Sequence, residues 1–182
     1  DSLRINGERL WSAIMEVAQV GATERGGCNR QALTDGDAEV RHTFRNWCEQ
    51  AGLAMRVDEM GNMFARRPGK NSDIPPVVAG SHLDTQPTGG KFDGIFGVLG
   101  ALEVIRTLND AGIETHAPLE VVNWTNEEGA RFSPAMIGSG LWSGHFDLQY
   151  GHSRADKEGT TIGEELTRLG YAGDEPCRPF PI

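Results

Sequence analysis

The run from Val77 to Trp124 constrains this chain more than any other stretch. It opens with the apolar segment "VVAGSHLD", passes through "TQPTGGKFDG" into "GIFGVLGALEVIRTLNDAG", and closes with a second apolar segment, "APLEVVNW". Continuous apolar runs of this length are how strands buried on both faces read. Between them Phe96, Leu99, Ala101, Leu102, Val104, Ile105 and Leu108 recur at helical spacing and stop at Gly112. Strand, loop, helix, strand predicts a parallel βαβ unit with its helix packed over the sheet.

The rest of the chain adds helices and a hairpin, without repeats or low-complexity tracts. "NGERLWSAIMEVAQVG" places Leu10, Trp11, Ile14, Val17, Ala18 and Val20 on one helical face and ends at Gly21. Residues 21–33 read as a loop. Thr34 and Asp35 are N-cap candidates for "DGDAEVRHTFRNWCEQAG", which buries Val40, Phe44, Trp47, Cys48 and Ala51, keeps His42 on its polar side, and stops at Gly52. "LAMRVDEMGNMFARRPG" reads as two short strands around a turn near Met60 to Asn62. The tail carries a structural helix in "GTTIGEELTRLGY", with Thr161 as its cap.

Composition excludes several functions. A formal net charge of −9 over 182 residues, with no Lys/Arg-rich run, does not suit nucleic acid or an anionic lipid surface, so a small or neutral partner is expected. No apolar run approaches the roughly 20 residues that span a bilayer, and the first residues lack a signal-peptide hydrophobic region. The 3 cysteines, Cys28, Cys48 and Cys177, are far apart and form no CxxC spacing. Free thiols in a reducing cytoplasm are the expectation, with Cys48 a packing residue.

Polar residues cluster where the two predicted parallel strands end, the edge at which ligands bind in open α/β sheets. "GSHLDTQPTGGKFDG", residues 80–94, admits three readings: a phosphate cradle, a solvated turn, or part of a metal site. A phosphate loop needs Ser or Thr after its Lys, and here Phe92 follows Lys91 while Asp93 would repel an anion. A turn explains the glycines and Pro87. A metal site explains the two-residue spacing of His82 and Asp84, which puts both on one face of a continuing strand. Asp84 is then able to fix the His82 tautomer, and Asp93 arrives through the TGG loop as a carboxylate able to bridge two cations.

The second cluster, "NWTNEEGARF", sets Glu127 and Glu128 directly after a strand. Adjacent side chains diverge, so the pair fits a division of labour, one a ligand and one a general base, or else a solvated acidic loop. Ser133 and Ser139 have no His/Asp constellation for nucleophilic catalysis.

Those two stretches resemble the signatures of M20-type metal-dependent amidohydrolases, in the branch of N-carbamoyl-L-amino acid hydrolase, beta-ureidopropionase and allantoate amidohydrolase. The resemblance runs through nearly the whole chain, "CNRQALTDGDAEVRHTFRNWCEQAGLAMRVDEMGNMFARRPG" included. It implies a three-layer α/β/α zinc-aminopeptidase-like catalytic domain with a mixed, mainly parallel sheet. By the same resemblance His82 binds one metal, Asp93 bridges two, Glu128 binds the second, Glu127 is the general base and Asp84 orients His82. Two divalent ions follow, with zinc, manganese, cobalt or nickel suiting carboxylate and imidazole ligands. The implied reaction is hydrolysis of a C–N bond in a ureido or linear amide substrate, by a homodimer when full length. A metallopeptidase, or a non-catalytic binding module of the same fold, are the alternatives.

The family's two further histidine ligands, one in a motif like HIEQGP, have no match here, and neither His145 nor His152 stands in a matching context. The chain therefore reads as the amino-terminal part of the catalytic domain, residues 1–182, incomplete, with the dimerisation domain and the carboxyl-terminal part absent. Gly26, Gly27 and Arg30 admit either a structural turn or substrate contact, and Trp124 reads as core or cleft wall.

Overall fold

The structure is a computed structural model that describes residues 2–179; residues 1 and 180–182 lie outside the described residues. The first helix, α1 (Gly7–Val17), starts where the Asn6 side chain accepts the Arg9 N–H. The second, α2 (Asp35–Gln50), is capped by Thr34, whose hydroxyl accepts the Asp37 N–H. The hairpin follows as β1 (Ala54–Val57) and β2 (Met63–Arg67), paired antiparallel.

The expected βαβ unit is present as β3 (Val77–Ser81), α3 (Ile95–Asp110) and β4 (Leu119–Asn123). β3 and β4 run parallel, from Val77 opposite Leu119 to Ser81 opposite Asn123. Three shorter helices follow among the described residues, α4 (Ile137–Trp142), α5 (Leu148–Ser153) and α6 (Ile162–Leu169). Thr161 and Glu164 close a capping box on α6, as the sequence predicts for Thr161, and Gly170 ends it in the left-handed conformation.

The mixed α/β class holds, with a four-stranded mixed sheet among the described residues. The strand order is β1-β2-β4-β3, and β3–β4 is the single parallel pair among the described strands. The hairpin docks on β4 antiparallel, with Met63 opposite Asn123, and supplies the other two pairings. β3 is not buried on both faces. It sits at the sheet edge, with Val77 61% and Val78 37% exposed. An apolar run reports hydrophobicity but not whether a neighbouring strand lies on each side.

The core gathers on one face of the sheet, where Met63, Ala65 and Val121 meet Leu10, Ile14, Phe44, Leu99 and Leu102 from the helices. Alternation along the strands sends Phe64, Val122 and Trp124 the other way, and Trp124 stacks edge-on against Phe64 and Trp142. Trp11, Phe96 and Val104 fit the helical pattern, yet stay about half exposed at the outer rim of α1 and α3.

Candidate metal and hydrolytic site

The parallel pair determines where the site lies. The Trp124 N–H donates to the Ser81 carbonyl at 2.8 Å, so the ends of β3 and β4 stay zipped and their loops leave the sheet side by side. His82, Asp84 and Asp93 come from the first loop, Glu127 and Glu128 from the second.

His82 is buried, and its Nδ1 lies 2.8 Å from the Asp84 carbonyl oxygen. A carbonyl can only accept, so Nδ1 carries the hydrogen and a neutral ring presents its lone pair at Nε2. That nitrogen is 3.3 Å from Glu127 Oε2 and 3.9 Å from Asp93 Oδ1. The ring needs Gly94 beside it: Gly94 has φ +74°, and a Cβ there would stand 2.5 Å from the ring atoms.

Asp84 divides its work differently from the sequence reading. Its main-chain carbonyl holds the His82 ring, while its carboxylate lies 3.7 Å from Nδ1. The carboxylate oxygens instead accept the backbone N–H groups of Glu127 and Glu128, each at 3.2 Å. Burial, together with the charge of Asp37, pushes the Asp84 carboxyl up to about 6, against the opposing pull of His82 and the two amides.

The glutamate loop is fixed at several other points. Arg41, fully buried, pairs with Asp37 at 3.1 Å and donates to the Gly61 carbonyl and the Thr125 hydroxyl. Asn62 accepts the Thr125 N–H at 2.9 Å and donates to Asp58 and the Gly138 carbonyl. Asn126 adopts φ +53° and donates to the Phe132 and Pro134 carbonyls, and the Met136 N–H closes on the Glu127 carbonyl at 2.8 Å. Arg131 anchors the far side of the loop to the Ala32 and Leu33 carbonyls, Asp156 and Glu165.

Arg30 resolves as a structural residue. Its buried guanidinium donates to the carbonyls of Leu83, Val17 and Val20. Cys28 and Gly89 exchange backbone hydrogen bonds, so the loop at 21–30 braces the loop carrying Asp93. His152 Nε2 donates to the Glu59 carbonyl at 2.8 Å, and His145 packs on Phe146, so both lie in structural settings.

Of the expected site residues, the structure gathers His82, Asp84, Asp93 and Glu127. Glu128 is held in the same loop, but its carboxylate engages Gln86 at 2.7 Å. The sequence reading missed Arg41, Asn62 and Gln86. Among the described residues no three His, Cys, Asp or Glu side chains converge closely enough to form a metal cage. The chemistry of the partial set still fits a cation, because a lone pair facing two carboxylates is repulsive until a proton or a metal ion lies between them. Asp93, with its side chain 74% exposed, is open to such an ion from solvent.

Comparison with known proteins supplies the family. Residues 78–165 match the model of peptidase family M20/M25/M40. The chain belongs to the M20 family. It is 57% identical over 175 residues to an N-carbamoyl-L-amino-acid amidohydrolase of Rhizobium meliloti, covering 96% of this chain and 42% of that protein. It is 33% identical to a ureidoglycolate hydrolase of Arabidopsis thaliana, over 96% of this chain and 37% of the relative. Among solved structures, a hydantoinase/carbamoylase family amidase of Burkholderia multivorans superposes with a TM-score of 0.98 at 58% identity, over 100% of this chain and 44% of that one. This M20 chain thus spans less than half the length of the relatives it matches. No helix among the described residues is long and apolar enough to cross a membrane.

Proposed function

We propose that this chain is part of a hydrolase that cleaves the C–N bond of N-carbamoyl amino acids or related ureido compounds. The observation that carries the reading is His82 Nε2 lying 3.3 Å from Glu127 Oε2 and 3.9 Å from Asp93 Oδ1, with Nδ1 committed to a carbonyl. The likeness to N-carbamoyl-L-amino-acid amidohydrolase and ureidoglycolate hydrolase supports the substrate class.

His82, Asp93 and Glu128 are the residues that would hold two divalent ions, zinc, manganese, cobalt or nickel, with further ligands from outside this chain. When bound, such ions supply Lewis-acid polarisation of the carbamoyl oxygen and make water acidic near neutral pH. Glu127, with its side chain 32% exposed, takes the proton of the attacking water and passes it to the departing nitrogen. Oxygen bonds to the carbamoyl carbon, the bond from that carbon to the amino-acid nitrogen breaks, and the amino acid leaves together with carbamic acid, whose own carbon–nitrogen bond then breaks to give ammonia and carbon dioxide. Asp84 holds the geometry, orienting His82 through its carbonyl and the glutamate loop through its carboxylate.

We read residues 1–182 as the amino-terminal part of the catalytic domain of a cytoplasmic homodimer, its dimerisation domain lying elsewhere in the full-length protein. The test is Glu127→Gln in that protein, assayed with divalent metal against N-carbamoyl amino acids, ureidoglycolate and dipeptides. The expected result is retained metal with hydrolysis of the ureido compounds reduced by about 10²–10⁴. Unchanged hydrolysis sinks the role of Glu127, and turnover of dipeptides alone favours a peptidase.

A further inference from the structure

Glu128 is held at two places. Asp84 accepts its backbone N–H, and the side-chain amide of Gln86 donates to its Oε2 at 2.7 Å while reaching its carbonyl oxygen at 3.4 Å. Gln86 lies on the loop of His82 and Asp93, so this bond ties the two acidic loops together head to head.

The stem of Gln86 is rigid. Its carbonyl accepts the Gly89 N–H at 3.2 Å, and residues 86–89 form a turn with Pro87 at the second position, where a fixed φ suits the bend. The hydroxyl of the buried Thr85 donates to the same carbonyl at 2.9 Å and accepts the Arg30 N–H at 2.8 Å. The amide therefore starts from a backbone pinned to a buried arginine, although its own head is exposed.

A carboxylate offers two oxygens. A neutral amide donor on Oε2 leaves Oε1 open, and it brings no positive charge to compete with a cation as Lys or Arg would. It also removes the rotational freedom of a half-buried glutamate before any ion arrives. Donors of this kind orient ligating carboxylates in metal sites generally.

We propose that Gln86 is a positioning residue for Glu128, holding Oε2 so that Oε1 is presented to a divalent metal ion. This rests on the reading of Glu128 as a ligand. Three forms of the full-length protein, titrated with cobalt(II), decide it: the unaltered protein, Glu128→Ala, and Gln86→Met, which keeps the length and loses the donor. Chelator competition reads affinity, and the visible absorption of cobalt reads the coordination geometry.

The unaltered protein is expected to bind two equivalents and Glu128→Ala to lose one. Gln86→Met should hold the second ion about 10- to 100-fold more weakly with an altered cobalt spectrum, while the metal-free thermal midpoint stays unchanged. If Glu128→Ala loses an ion but Gln86→Met keeps the original affinity and spectrum, the role of Gln86 is overturned and the ligand reading stands. A lowered metal-free midpoint with an unchanged spectrum makes Gln86 merely structural, which also overturns it. No cobalt bound by the unaltered protein, or both equivalents kept by Glu128→Ala, overturns the two readings together. Should Gln86→Met not fold, Gln86→Asn, one methylene too short to reach Glu128, is read by the same outcomes.

Discussion

The Asp84 carboxylate accepts the backbone N–H groups of both Glu127 and Glu128, at 3.2 Å each, from a nearly fully buried position. One side chain at the end of β3 thereby sets the main chain of the loop after β4. The two acidic stretches are far apart in sequence, and this bridge makes them one site.

Asp84→Asn tests the bridge. The substitution keeps the shape but replaces one acceptor oxygen by an N–H₂ that faces an amide donor. A buried donor left without its partner costs about 1–3 kcal/mol. The full-length variant should unfold at lower denaturant concentration and lose hydrolytic rate. Equal denaturation midpoints would show that the loop is held without Asp84.

Gly94→Ala tests the seat of His82. Gly94 has φ +74°, and an added Cβ would stand 2.5 Å from the imidazole, so the ring or the loop must move. A non-glycine residue in such a conformation costs about 1–3 kcal/mol before the clash is counted. The expected outcome is a lowered melting temperature and weakened metal binding by calorimetric titration, and unaltered metal affinity would contradict it.

The anchor beneath Arg131 gives a pH dependence. The Arg168 guanidinium, bonded to Glu165 at 2.7 Å, outweighs the burial cost and with Arg131 at 3.0 Å holds the Glu165 carboxyl below the usual carboxylate range. A depressed folded-state value contributes stability above the unfolded glutamate value of about 4.3 and loses it as pH falls through the folded one. Glu165→Gln should therefore cost about 1–3 kcal/mol at neutral pH, in urea unfolding, and progressively less as the pH drops below about 4. A difference that stays constant with pH would show that the pair does not stabilise the fold through charge.

Much of the architecture was legible because it is local. The periodicity of 95–108 and the apolar runs on either side predict β3, α3 and β4, and Thr34 and Thr161 cap helices where their spacing places them. The short helices α4 and α5 carry no comparable pattern, since six residues give less than two turns over which a period can repeat. Trp11 and Phe96 read as core but lie exposed, because a helical stripe specifies a face and not how far the neighbouring layer extends. For Gln86 the turn signal of "QPTGG" was readable, while its partner, 42 positions away, was not.

The sequence by itself determined the βαβ unit, the hairpin, the helix caps and the clustering of His82, Asp84, Asp93, Glu127 and Glu128 at strand ends. These follow from periodicity, fixed spacing and residue chemistry within short windows. Only the tertiary structure decided that β3 lies at the sheet edge, that Arg30 and Arg41 are buried struts, and that the Asp84 carboxylate grips the glutamate loop while its carbonyl grips His82. Each of these depends on single polar groups meeting across long stretches of chain. Such meetings repeat at no interval, so they leave no pattern along the sequence and arise only when the sheet brings the loops together.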